Sequence, residues 1–493
     1  MKKWLAWSLI AMGGAASAAP LPRSTPEAQG VSSAGILAFI EAADQTIDTM
    51  NSVMIVRHGQ VIAEGWWKPY DANTPHDMFS LSKSFTSTAV GLAIADGKFS
   101  LDDPILKFFP DQAPANPSEN LQKMRVRDLL IMSTGHIDND LKNMGPLNGP
   151  APSKAFLETP VALKPGTHFI YNTPATYMLS AIVQKTTGEK VLDYLRPRLF
   201  QPLGIENPTW EESAEGVSYG GFGLALKTED IARFGLLILR KGEWQGKQLV
   251  PADWVAAATA RQTSTGSNPT SDWDQGYGYQ FWRSRHGFRG DGAHGQFCFV
   301  LPDLDVNIAI TSGTSNMQAV MNVVWDHLLP AMKADALPAN DADRKKLSDR
   351  LGKLEVRRAE GSAAPKLASS LSGKRYSFEK NPAGLTVLAV DWRSRRGTPV
   401  IKMAFEGADQ QVVCSKNEWI KGRASFGHGG GERPVAATCA WKSADTFTAK
   451  IVQPETPYYY DLTLRFAGQE AILDARTSVS KPGEALHLVG KAQ

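Results

Sequence analysis

Met78-Phe79-Ser80-Leu81-Ser82-Lys83-Ser84-Phe85-Thr86-Ser87 decides how the chain is read. It contains Ser-x-x-Lys and runs into a helical pattern, with Phe85, Ala89, Leu92 and Ala93 at helical spacing and Gly97 placed to cap the end. A serine in the first turn and a lysine three residues on share one face of a helix. A serine hydroxyl needs a base to become a nucleophile, and a lysine whose pKa is lowered by burial can be that base. The helix N-terminus adds backbone N–H groups for a developing oxyanion. The competing reading is a serine cap beside a solvated lysine. The flanks count against it: Leu81, Phe85 and the small Ser84, Ser87, Thr88, Ala89 and Gly91 describe a helix packed closely on several sides. Lys83 then has apolar neighbours, where an amine tends to be neutral.

A chain of 493 residues is too long for one ordinary core, so two domains are expected. Its 42% hydrophobic and 21% charged residues are those of a soluble globular protein. The net charge of +3, with no dense Lys/Arg block, argues against nucleic acid or an acidic membrane surface as partner. Lys2 and Lys3, the apolar run Trp4 to Ala15 and the small residues Ala16-Ser17-Ala18 read as a signal peptide over 1–18. That run is too short to span a bilayer and no other stretch is long enough, so the chain is expected to be periplasmic or secreted, with no transmembrane anchor. Such a compartment permits a disulfide. Cys414 and Cys439 both lie in strand-like runs of one region, and whether they pair is left open; Cys298 reads as a free, buried cysteine in a strand. No His/Cys spacing resembles a zinc site, and no metal or cofactor is expected.

Working outward, Ala34 to Ala43 reads as a helix, and two strand-like runs flank His58-Gly59 as a hairpin in which His58 is a turn residue. Residues 126–204 are mostly helical, interrupted by a loop-like stretch at 137–155 rich in Asn, Gly and Pro. Thr176 to Thr187 is a helix stopped by Gly188, and Thr228 reads as the cap of a helix from Glu229 to Arg240. Strand signals return at Tyr277–Trp282, Phe297–Leu301 and Val306–Thr311, and a closing helix follows from Met317 to Leu329. Strands, then helices, then strands predict an α+β fold: an antiparallel sheet flanked by helices, with a helical insertion. Residues 334–365 shift to Ala, Pro, Asp, Lys and Arg and read as a linker, with a short charged helix near Asp341–Leu351. Residues 366–493 carry short strand-like runs and read as a small antiparallel β-domain, which leaves 19–333 as the main domain. The loop Gly427-His428-Gly429-Gly430-Gly431 lacks the strand-to-helix step of a phosphate site.

A nucleophilic Ser80 needs a proton relay and oxyanion donors. Tyr171, in Tyr171-Asn172-Thr173 just before a helix, is the candidate relay, with its phenol pKa lowered by the neighbouring lysine. Gly290-Asp291-Gly292-Ala293-His294-Gly295-Gln296, ahead of a strand, allows close backbone approach to a ligand. Ser80-x-x-Lys83, then Tyr171, then this glycine-rich strand, in that order, resembles the serine β-lactamase and DD-peptidase superfamily. The resemblance is to the class C-type branch of β-lactamases, low-molecular-weight penicillin-binding proteins, esterases and 6-aminohexanoate-dimer hydrolases. It covers roughly residues 25–330.

The resemblance implies a serine β-lactamase-like fold and an acyl-enzyme on Ser80. Lys83 would take the proton, and Tyr171 would act as base in one step and acid in the next. The N–H groups of Ser80 and Ala293 would hold the oxyanion, with Gly292, Thr173 and His294 beside the substrate. The family's second motif is commonly Tyr-x-Asn, whereas the third position here is Thr173. Its third motif is commonly Lys or His, a small residue, then Gly; Gly290-Asp291-Gly292 has no basic residue, and His294 partly stands in. The missing cation favours an esterase or amide hydrolase over a true β-lactamase. The implied substrate is a small-molecule ester, amide or peptide. The alternative is a catalytically silent penicillin-binding-like or peptidoglycan-binding protein.

Overall fold

The computed structural model describes residues 19–137, 145–392, 398–405, 408–427, 431–481 and 483–493. The signal peptide expected over 1–18 lies outside the described residues, as do parts of the loops expected at 137–155 and 427–431.

Six strands form an antiparallel sheet: β1 (Met50–Arg57), β2 (Gln60–Trp66), β3 (Trp282–Arg283), β4 (Phe288–Gly292), β5 (Gln296–Leu301) and β6 (Val306–Ser312), in the order β2-β1-β6-β5-β4-β3. Side chains alternate between its faces. Met54, Val56, Cys298, Val300 and Ala309 join the core of the helical insertion. Val53, Ile55, Phe297, Phe299, Ile308 and Ile310 face the other way, toward helix α1 (Ser33–Thr46) and the segment from Met317. Both faces are covered, so all eight residues of β1 are buried.

The insertion between β2 and β3 carries α2 (Ser82–Ala95), α3 (Thr173–Thr187) and α4 (Thr228–Leu239). Ser82 through Ala93 of α2 are all buried, which explains its run of small residues. A Cβ on Gly91 would come within 2.4 Å of the Trp254 indole, so glycine is what lets that ring lie on the helix. Two local expectations change. Thr228 is inside α4 rather than its cap. The Asp230 carboxylate accepts the Lys227 N–H at 3.0 Å, and the Thr228 hydroxyl donates to Ser52 Oγ at 2.8 Å instead. The strand expected over Tyr277–Trp282 shrinks to β3, because Gln280 takes a left-handed conformation at φ 65° and its amide donates to the Leu129 and Leu130 carbonyls. The closing helix α5 (Met317–Val323) passes into wider and tighter turns through Ala331, and α6 (Asp341–Leu351) follows in the charged stretch.

Ten strands fill the rest: β7 (Arg375–Ser377), β8 (Leu385–Asp391), β9 (Val400–Phe405), β10 (Ala408–Val413), β11 (Ile420–Ala424), β12 (Arg433–Trp441), β13 (Thr446–Val452), β14 (Tyr459–Ala467), β15 (Glu470–Thr477) and β16 (Leu486–Ala492). Their order is β10-β9-β8-β7-β16-β15-β14-β13-β12-β11. The edge strands lie against each other in a near-barrel, and a Cys414–Cys439 disulfide joins the end of β10 to β12. Cys298 is free and buried.

The turn from β13 to β14 reaches the first half of the chain. The Asp77 N–H donates to the Glu455 carbonyl at 2.8 Å, Tyr70 Oη donates to the Thr456 carbonyl at 3.2 Å, and the Tyr459 hydroxyl donates to the Asp48 carboxylate. Arg433 of β12 pairs with Asp77 at 3.4 Å. The near-barrel is therefore anchored three residues before Ser80.

Candidate active site

Ser80 sits in a single 3-10 turn, Phe79–Leu81, that runs directly into α2. Backbone N–H groups in such a first turn have no acceptor within the helix. Phe79 is held at φ 47°, a conformation costly for a residue with a β-carbon and concentrated at functional sites. Its surroundings fix it: the Met78 N–H donates to the Leu224 carbonyl at 2.8 Å, and the Phe79 ring packs edge-on to His294 at 5.3 Å. β4 runs alongside. A Cβ on Gly292 would come within 2.1 Å of the Met78 carbonyl, so only glycine permits this approach.

Lys83, one turn on, is 1% exposed. Its Nζ lies 2.9 Å from Ser80 Oγ, 3.1 Å from Thr173 Oγ1 and 2.8 Å from the Gly221 carbonyl. Burial brings its pKa down to about 7, against a smaller opposing pull from Asp291. The geometry suits a neutral amine. Its two N–H groups go to Thr173 and Gly221, and its lone pair is left for the Ser80 hydroxyl.

Tyr171 completes the group. Its hydroxyl is close enough to Ser80 for that side chain to act on its pKa, and Lys83 Nζ lies 4.9 Å from its ring centroid. The ring stacks on Trp282 at 5.7 Å. The expected lowering of its pKa is reversed: burial is the largest effect and raises it, Asp291 raises it further, and only Ser80 lowers it. A neutral Lys83 supplies no cation to offset burial.

The other expected residues separate. Thr173 is in the site, whereas Asn172 caps α3, accepting the Ala175 N–H at 2.7 Å and donating to Thr134 Oγ1 at 3.0 Å. Ala293 and His294 form the turn between β4 and β5, where Gln296 Nε2 donates to the Ala293 carbonyl at 3.1 Å. His294 Nε2 meets Tyr458 Oη at 3.3 Å rather than facing open space. Asp291, one position after the Gly290 that stands where the family commonly carries a base, is buried and paired with Arg289 at 2.8 Å. Burial holds its carboxyl above the usual range.

Two participants escaped the sequence reading. The Gly221 carbonyl is presented by Gly220 at φ 67°, and a Cβ on Gly221 would come within 2.5 Å of Thr173 Cγ2; the Gly220-Gly221 pair was the available signal. Tyr458 carried no signal, because only the docking of the near-barrel brings it to His294. Among the described residues no cluster of His, Cys, Asp and Glu could hold a metal ion, and no helix is long and apolar enough to cross a membrane.

An antiparallel sheet with a helical insertion that sets Ser, Lys and Tyr together defines a β-lactamase-like serine hydrolase. The Beta-lactamase family profile matches residues 42–329, and the chain belongs to that family. It is similar to the 6-aminohexanoate-dimer hydrolase of Paenarthrobacter ureafaciens, 25% identical over 276 residues, a match spanning 52% of this chain and 70% of that one. Among solved structures, "EstCE1, a hydrolase with promiscuous acyltransferase activity" superposes with a TM-score of 0.50 at 17% identity, over 59% of this chain and 98% of that one. SurE with D-Leu superposes with a TM-score of 0.49 at 18% identity, over 92% and 98%.

Proposed function

We propose that the chain is an exported hydrolase that cleaves an ester or amide of a small molecule or peptide through an acyl-enzyme on Ser80. The reading places the hydrolytic unit at 19–333, a linker at 334–365 and an accessory β-domain at 366–493. One observation carries it: a buried Lys83 of pKa about 7 with its Nζ 2.9 Å from Ser80 Oγ.

Ser80 Oγ attacks the carbonyl carbon as Lys83 Nζ takes its proton. The carbonyl oxygen becomes an oxyanion facing the N–H groups of Ser80 and Ala293. Tyr171, beside Ser80, passes a proton to the leaving oxygen or nitrogen as its bond to the acyl carbon breaks. Water then attacks the acyl carbon, giving one proton to the relay while Ser80 Oγ regains its own. Tyr171 works as a hydroxyl that accepts and donates together, since burial disfavours its phenolate.

Gly290, standing where the family commonly carries a base, supports an ester or amide substrate over a β-lactam, because that position offers no side-chain cation to a β-lactam carboxylate and the adjacent Arg289 is committed to Asp291. A pre-steady-state assay with p-nitrophenyl acetate tests the proposal beside Ser80→Ala and nitrocefin. A burst that vanishes in Ser80→Ala, with nitrocefin intact, is the expected result. No burst and no fluorophosphonate labelling of wild type would reject it and leave a silent binding protein.

A further inference from the structure

The near-barrel is filled unevenly along its axis. At one end Tyr376, Trp392, Trp441, Phe447 and Phe466 pack ring against ring, with centroids 4.6–5.9 Å apart. Toward the other end a smaller ring group, Phe405, Phe426 and Tyr460, stands beside aliphatic positions and leaves space between them. On β14 the same two-residue alternation that buries Leu464 and Phe466 puts Tyr460 and Leu462 on the wall of a cavity of about 410 Å³. Leu388, Met403, Leu473 and Ala475 line it from neighbouring strands.

A packing defect is closed on all sides. This cavity is instead partly open, and the polar Thr477, Ser480 and Glu484 line it together with aliphatic and aromatic side chains. Apolar walls with a few polar groups, and a volume of roughly 300–1,000 Å³, are the marks of a small-molecule site. Barrels of about this strand number enclose one small ligand. Leucine and methionine walls follow the shape of a flexible chain.

We propose that the near-barrel binds the aliphatic chain of an amphiphile, with the polar end of that molecule left at the rim. The cavity also adjoins the turn that reaches the hydrolytic centre. Tyr460 Oη donates to Gln453 Oε1 at 3.4 Å, and Gln453 Nε2 donates to the Phe426 carbonyl at 2.7 Å. Tyr460 and Phe426 both line the cavity, and the turn that begins at Gln453 carries Tyr458 to His294. The chain is either a free fatty acid or the tail of an ester on its way to Ser80; the second source rests on the function proposed above.

The test uses the full chain, with N-phenyl-1-naphthylamine as the probe and dodecanoate as competitor. Leu462→Trp and Ala475→Trp fill the cavity from two strands, and each is checked by its melting curve. Wild type and Ser80→Ala are expected to bind the probe equally and release it to dodecanoate but not to acetate. The filled variants are expected to lose about ten-fold in affinity. p-Nitrophenyl esters from acetyl to dodecanoyl separate the sources. A KM that falls with chain length in wild type but not in the filled variants assigns the substrate tail; a length-independent KM with dodecanoate still bound assigns a free amphiphile. No displacement by dodecanoate, or displacement equal in wild type and in a filled variant that melts normally, overturns the proposal. Because Ser80→Ala takes part in the binding assay, failure of the hydrolytic reading leaves that result standing.

Discussion

Tyr458 Oη lies 3.3 Å from His294 Nε2, joining the near-barrel to the turn that carries Ala293. The contact ties the proposed oxyanion donor to a residue outside the matched family region, which ends at 329. Tyr458→Phe removes this bond and keeps the ring contacts with Phe79 and His294. A net hydrogen bond is worth about 1 kcal/mol, so kcat/KM on p-nitrophenyl acetate is expected to fall about five-fold while the melting temperature holds.

The proton on Lys83 sets the pH dependence. Below its pKa of about 7 the amine is protonated and cannot take the proton from Ser80, so kcat/KM is expected to rise with pH through that value. Lys83→Arg, which stays protonated, is expected to abolish the burst at every pH tested.

Linkage gives a second reading of the same group. The folded-state pKa of about 7 lies below the ordinary 10.5, so between these values the unfolded chain binds more protons and stability rises with pH. Below this window wild type carries the full cost of a buried cation. Lys83→Met is expected to melt above wild type under acidic conditions, with the gap closing as pH approaches 10.5. Calorimetry across that range checks the sign.

Tyr171→Phe is expected to lower kcat by about 10²–10⁴-fold, the usual contribution of a positioned proton-transfer group. Because burial raises its pKa above 10, the wild-type profile is expected to show no further ionisation between the Lys83 step and pH 10. A second rising limb in that interval would point to a working phenolate.

The Cys414–Cys439 disulfide closes a loop 25 residues apart in sequence. Its loss in a double Cys→Ser variant is expected to cost the near-barrel about 3 kcal/mol, read by denaturant unfolding. Labelling of Ser80 by a fluorophosphonate is expected to persist at low denaturant.

What could be read from the sequence was what neighbours in sequence decide. Ser80 and Lys83 lie one turn apart, and the small residues after them announce a buried helix before any fold is known. The charged helix Asp341–Leu351 was legible because its pattern is local. Gln280 was not: its left-handed turn is stabilised by carbonyls at Leu129 and Leu130, about 150 residues away. The Tyr171 pKa was misjudged for a related reason, because burial of both partners removes the cation assumed to lower it. The ten-stranded closure and the Tyr458 contact depend on how two units dock, which no single window of residues encodes.

The pairing of Asp77 with Arg433 spans 356 residues. A nascent chain long enough to hold Ser80, Lys83 and Tyr171 therefore lacks the segment that braces the turn before the nucleophile. Under the proposed function the order of synthesis would work as a safety catch: Ser80, Lys83 and Tyr171 emerge first, and the pair that braces the turn before them forms only once the strand carrying Arg433 has folded and docked.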